Sequence, residues 1–151
     1  MLEPDLAPAA TPPLPPERAD LLFYDGGCGL CHRWVVFMLR HDLEGSRFRF
    51  APIGGTTWNE TIPASVRQTL PDSLVLRTAD GRTLVRSDAV LSIGERLSGG
   101  WRSLARITGL LPRWVLDLGY DGIARVRKRL FSAPAGSCPV VPAELRARFL
   151  Q

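Results

Sequence analysis

"LLFYDGGCGLCHRWVVFMLRH", Leu21 to His41, is the stretch whose reading decides the fold. It opens on a short apolar and aromatic run, Leu21 to Asp25, the pattern of a buried strand. Gly26 and Gly27 break that run, and a helix is expected from about Cys28 to His41. Leu30, Trp34, Phe37, Met38 and His41 recur there at helical spacing, so that one face packs inward. Cys28 and Cys31 fall at the strand-to-helix junction, where two chemistries compete. C-x-x-C at the start of a helix is a dithiol, whereas C-x-x-C-H, through His32, is the pattern of covalent haem attachment.

Working outward, Gly45 and Ser46 close the turn after the helix. "RFRFAPI", Arg47 to Ile53, alternates as a strand with Phe48 and Phe50 inward. "TWNE", Thr57 to Glu60, has capping-box spacing, and Pro63 must break the helix it opens. "SLVLRTADGRTLVRS", Ser73 to Ser87, reads as a hairpin turning at Asp80-Gly81. Ser87 or Asp88 then caps a helix through Leu97 that Gly99 and Gly100 end. Two more helices follow, Trp101 to Thr108 and Arg113 to Phe131. The first strand, helix and second strand form a right-handed parallel unit, and the hairpin adds two antiparallel strands. The expectation is an α/β fold of thioredoxin-like plan: a four-stranded mixed sheet flanked by helices, with a C-terminal helical extension over about 101–131. One domain spans 20–150, and residues 1–19, with six prolines, form a disordered leader.

Composition bounds the function classes. The 151 residues suit one domain, and 45% hydrophobic with 23% charged residues is ordinary for a globular chain. Three cysteines, an odd number, do not make a secreted disulfide scaffold. The N-terminus has no basic start or apolar h-region, so the cytoplasm is the expected compartment. Leu104 to Ile123, the longest apolar candidate, carries Arg106, Arg113, Asp117 and Asp121 and does not cross a bilayer. Residues 1–100 hold 10 arginines and 12 acids, whereas 101–151 hold 9 basic residues and 3 acids. That basic third is a solvated face or a surface for an anionic membrane; without interleaved aromatics it does not suit nucleic acid.

The dithiol is the centre of the chemistry. At a helix N-terminus Cys28 meets free N–H groups and the positive end of the helix dipole, which favour a thiolate. Cys31, one turn deeper, is placed to resolve a mixed disulfide formed on the more exposed Cys28. Asp25 either exchanges a proton with Cys31 or hydrogen-bonds the Gly26-Gly27 turn. His32 lies beside the pair and, protonated, stabilises a Cys28 thiolate.

Asp25-x-x-Cys28-x-x-Cys31 after an apolar strand resembles the DCC family of thiol-disulfide oxidoreductases, named for its Asp-Cys-Cys pattern. "FRFAPI", "DSLVL", "RSDA" (Arg86 to Ala89) and "CPVVPAELRARFL" look like that family's later blocks, so the resemblance covers Leu21 to Leu150. It implies a thioredoxin-like fold and a dithiol redox role with no further cofactor. The substrate is then a disulfide of a protein or small molecule, with an electron donor the residues do not specify. Thioredoxin-like enzymes carry a cis-proline before the third core strand, facing the dithiol. Pro71, two residues ahead of Ser73, is the candidate here. Ser87 and Asp88 lie near the dithiol edge in that plan and are candidates to orient substrate, with capping as the default. Cys138 in "GSCPVVP" is either a third, resolving thiol or simply a small apolar residue, the second being the default.

Haem requires an oxidising attachment compartment and a second axial ligand, and Met38 and His41 share the helix of His32. Zinc on Cys28, Cys31, Cys138 and His32 or His41 lacks a second paired cluster. No metal is expected. The alternative to an enzyme is a partner- or membrane-binding module with a redox-inactive or zinc-binding C-x-x-C, docking through Trp101, Leu110, Leu111 and Trp114 among arginines.

Overall fold

A computed structural model describes residues 18–42, 47–71, 73–130 and 143–151. The leader to residue 17, the Gly45-Ser46 turn and Cys138 lie outside the described residues. Arg18 and Ala19 form a turn, with Ala19 buried.

Strands β1 (Asp20–Tyr24), β2 (Phe48–Pro52), β3 (Val75–Arg77) and β4 (Thr83–Val85) make a mixed sheet in the order β2-β1-β3-β4. β1 runs parallel to β2, pairing Leu22 with Phe50, and antiparallel to β3, pairing Leu22 with Leu76. The β3–β4 hairpin turns through Gly81 at φ +88°, a left-handed conformation that glycine adopts without strain. Helix α1 (Gly29–His41) is the crossover between the parallel strands.

Alternation along the strands sends side chains into two cores. Leu22, Phe48, Phe50 and Leu76 meet α1 and α4 (Arg86–Arg96) on one face. Phe23, Ala51 and Val75 meet Trp58 and Ile62 on the other, with Phe23 and Trp58 edge to face at 4.9 Å. This α/β arrangement is the expected thioredoxin-like plan.

Several local expectations need correction. The buried stripe of α1 is Cys31, Val35 and Met38, turned about one residue from the expected face. Leu30 and Trp34 instead line a cavity, while Phe37 and His41 pack edge-on against Trp101. The capping box does not form: α2 (Thr56–Thr61) starts two residues earlier, with Gly55 in place of Thr57 at its N-cap. The break at Pro63 does occur, and a single turn, α3 (Ala64–Arg67), follows it.

Ser87 and Asp88 do not cap α4. The chain turns into that helix at Val85 and at Arg86, whose φ of +51° is uncommon for a non-glycine residue, and no side chain closes the end. Both residues face the helical extension, α5 (Trp101–Thr108) and α6 (Arg113–Leu130). α5 lies hard against α4, since a Cβ added at Gly94 would stand 2.8 Å from the Cβ of Ala105. α6 then returns over the dithiol end of α1.

The last described segment assigns structure to a block known at the sequence level only by resemblance. A 3₁₀ helix, Ala143–Arg148, delivers Phe149 beside Phe50, and the N–H of Leu150 donates to the Phe50 carbonyl at 2.8 Å. Arg148 enters the interior, pairing with Asp42 at 2.6 Å and donating to the Phe48 carbonyl. Burial lowers its pKa against the pull of the Asp42 charge.

Candidate active site

Cys28 is the N-cap residue of α1, in extended backbone at φ −106° and ψ 115°. Its N–H donates to the Asp25 carbonyl and its carbonyl accepts from the His32 N–H, both at 3.2 Å. The break at Gly26-Gly27 thus sets the first cysteine at the carboxyl end of β1, and one turn of helix brings the second beneath it. The two free thiols share a hydrogen bond.

Exposure does not separate them as the sequence suggested. Cys28 is 4% exposed and Cys31 7%. The difference lies in their chemistry. Burial, then the hydrogen bond and charge of Cys28, pushes the Cys31 thiol up from its ordinary 9.0 to about 12. Arg127 and a backbone hydrogen bond from Asp25 oppose that rise.

Arg127, itself buried, donates from Nη1 to the Cys31 sulfur at 3.4 Å. It belongs to the inward face of α6, with Leu116, Tyr120, Ile123 and Ala124. The N–H of Leu74, at the start of β3, donates to the Tyr120 hydroxyl at 3.1 Å. Burial pushes that hydroxyl's pKa up, against the Leu74 hydrogen bond and the Arg127 charge.

α6 is held over the thiols by a ladder of polar pairs. Arg113, Asp117 and Asp121 recur every four residues on one helix face. They meet Asp88, Ser87 and Arg86 respectively, the Ser87 hydroxyl donating to Asp117 at 2.5 Å. Ser87 and Asp88 are therefore fasteners of the extension. Ser87 also lines the space above Cys31.

That space is an apolar cavity of about 480 Å³ between the sheet, α1, α4 and α6. Leu30, Trp34, Leu74, Val90 and Leu116 form much of its wall, and Cys31, Tyr120 and Arg127 are among its few polar groups. A volume of this size is typical of a small-molecule pocket.

The remaining sequence candidates fall elsewhere. The Asp25 carboxylate accepts the Gly27 N–H at 2.9 Å, which is the turn-forming role. His32 packs edge-on against Tyr24 at 6.1 Å. Among the described residues there is no cis peptide bond, so Pro71 is trans, and it is not part of the cavity wall; Leu74 and Tyr120 stand there instead. Met38 is in the core and His41 donates from Nδ1 to the Phe37 carbonyl at 2.8 Å, away from His32. Among the described residues no group of three or more His, Cys, Asp or Glu could hold a metal ion.

The model of the DCC1-like thiol-disulfide oxidoreductases matches residues 22–133. The chain belongs to that family.

This DCC1-like chain is 27% identical over 130 residues to "Uncharacterized protein YuxK" of Bacillus subtilis (strain 168), covering 86% of the chain and 93% of that protein. It is also 27% identical over 115 residues to "DCC family protein At1g52590, chloroplastic" of Arabidopsis thaliana, covering 76% of the chain and 66% of that protein. No solved structure matches. Among the described residues no helix is long and apolar enough to cross a membrane.

Sequence reading of this DCC1-like chain missed Arg127, Tyr120 and Asp117. A signal for the first two was present. Leu116, Tyr120, Ile123 and Arg127 recur at three- and four-residue spacing, so a cation lies on the apolar face of α6 and requires a buried partner.

Proposed function

We propose that the protein is a dithiol–disulfide oxidoreductase in which Cys28 is the nucleophile, Cys31 the resolving thiol and Arg127 the residue that assists Cys31. The observation that carries this reading is the hydrogen-bonded line Arg127–Cys31–Cys28 at the N-terminus of α1. The Cys28 thiolate attacks one sulfur of a substrate disulfide, forming a mixed disulfide and expelling the other half as a thiolate that takes up a proton. Cys31 then loses its proton and attacks the Cys28 sulfur, releasing the second half. The pair ends as a disulfide and the substrate has gained two electrons; the reverse sequence oxidises a dithiol substrate.

Arg127 lowers the cost of placing negative charge on a buried sulfur, so it favours the step in which Cys31 ionises. The apolar space beside Cys31 suits the non-polar part of a small disulfide. Asp25 holds the turn that aims Cys28. The compartment on this reading is the cytoplasm, on the ground of an odd, small cysteine count.

The test is to treat the Cys31→Ser variant with an aromatic disulfide and weigh the product. A single adduct on Cys28, with reversible oxidation of the unaltered pair, is the expected result. If no adduct forms and the pair cannot be cycled, the redox reading fails.

A further inference from the structure

We propose that the α5–α6 extension is an anionic-membrane docking element, which inserts the turn between the two helices into the lipid surface. Monomeric soluble proteins rarely expose large contiguous apolar patches without a use for them. Here Leu110 is 84% exposed at the turn, Trp114 70% and Leu118 64% on α6, with Leu104 and Ile107 exposed on α5.

The structure also sorts the aromatic residues of this region. Trp101, 39% exposed, lies edge-on to Phe37 at 4.8 Å and fastens α5 to α1. Trp114 points away from the cavity and stands on the same helix line as Leu118, Arg125 and Arg129, at offsets of four, eleven and fifteen residues. That line is apolar near the turn and basic farther back. With a rise of about 1.5 Å per residue, Arg125 lies about 10 Å and Arg129 about 17 Å behind Leu118. An amphipathic element sunk about 5–10 Å into the acyl boundary thus leaves its arginines among the lipid phosphates.

Charge identifies the occupant. Residues 101–130 hold seven basic residues and two acids, and both acids are engaged by α4, Asp117 with Ser87 and Asp121 with Arg86. The outer face therefore presents Arg106, Arg125 and Arg129 without an acid between them. A second copy of this chain would bring the same arginines together, whereas an anionic bilayer complements them.

The experiment uses the full chain with vesicles of phosphatidylglycerol and phosphatidylcholine, and with phosphatidylcholine alone, followed by co-sedimentation and tryptophan fluorescence. Binding is expected to the anionic vesicles, falling with salt, with a blue shift that Trp114→Phe removes. Leu110→Asp with Leu111→Asp should abolish it, and Leu110→Ser with Leu111→Ser should weaken it; circular dichroism checks that both stay folded. Arg106→Gln, Arg125→Gln and Arg129→Gln together should weaken binding about a hundredfold, at about fivefold per arginine. Absence of binding at low salt, or binding that all these variants retain, overturns the proposal. So does a wild-type dimer that the leucine pair disrupts without any affinity for lipid, which would make this face a self-interface.

Discussion

Replacing Arg127 by methionine removes the guanidinium 3.4 Å from the Cys31 sulfur while keeping most of the side-chain volume. A hydrogen bond to a charged group contributes about 1.5–3 kcal/mol. At 1.36 kcal/mol for each tenfold change in ionisation, its loss leaves about ten- to a hundredfold less Cys31 thiolate at a given pH. The remaining thiolate is more basic and so a better nucleophile. A Brønsted slope of about 0.4–0.5 restores roughly half of the loss on a logarithmic scale. Displacement of a group from Cys28 should therefore slow by about three- to tenfold. The assay loads Cys28 from an aromatic disulfide and follows, by stopped flow, the coloured thiolate that Cys31 releases. In the adduct the Cys28 hydrogen bond and charge are gone, but burial, the largest cause, still holds the Cys31 thiol above its ordinary value. Its thiolate therefore rises with pH across the neutral range, and both proteins should give parallel rising lines. Superimposed lines would remove Arg127 from the mechanism. A plateau near neutral pH would refute the buried-thiol argument itself.

The elevated Cys31 thiol also predicts how stability varies with pH. Its folded pKa lies above the ordinary 9.0, so its contribution is complete below 9.0 and is lost as pH rises from 9.0 towards 12. Urea midpoints should fall across that window, and Cys31→Ser should flatten the fall. Arg148→Met leaves Asp42, 1% exposed, as an uncompensated buried charge, and should cost about 3–5 kcal/mol in urea unfolding. Pairing it with Asp42→Leu should recover most of that loss; a double variant as unstable as the single one would show that the ion pair is not the cause.

The order of elements was legible because the local signals agree with the tertiary structure. The apolar run before Gly26-Gly27, the alternation of Phe48 and Phe50, and the Asp80-Gly81 turn each act over a few residues. Cys28 and Cys31 were legible for the same reason, since their relation is one helical turn. What escaped depends on distance along the chain. Cys31 and Arg127 are 96 positions apart, and only packing of α6 over α1 brings them together. Ser87 and Asp88 look like caps because a helix follows them, but their side chains meet α6 instead. The displaced face on α1 has a similar origin: Leu30 and Trp34 are apolar because they border a cavity, and Phe37 because α5 covers it.

The bridge between Phe149 and Phe50 has a consequence for biosynthesis. β2 is an edge of the sheet, and its outer hydrogen-bonding groups find their partners a hundred residues downstream. A nascent chain that has released Cys28, Cys31, the four described strands and α6 from the ribosome still carries that edge open, with the Asp42 carboxylate lacking Arg148. Exposed edges of this kind invite pairing with other chains. Translation through residue 150 is then the event that seals the domain, and a polypeptide stalled before it should be the species that chaperones retain.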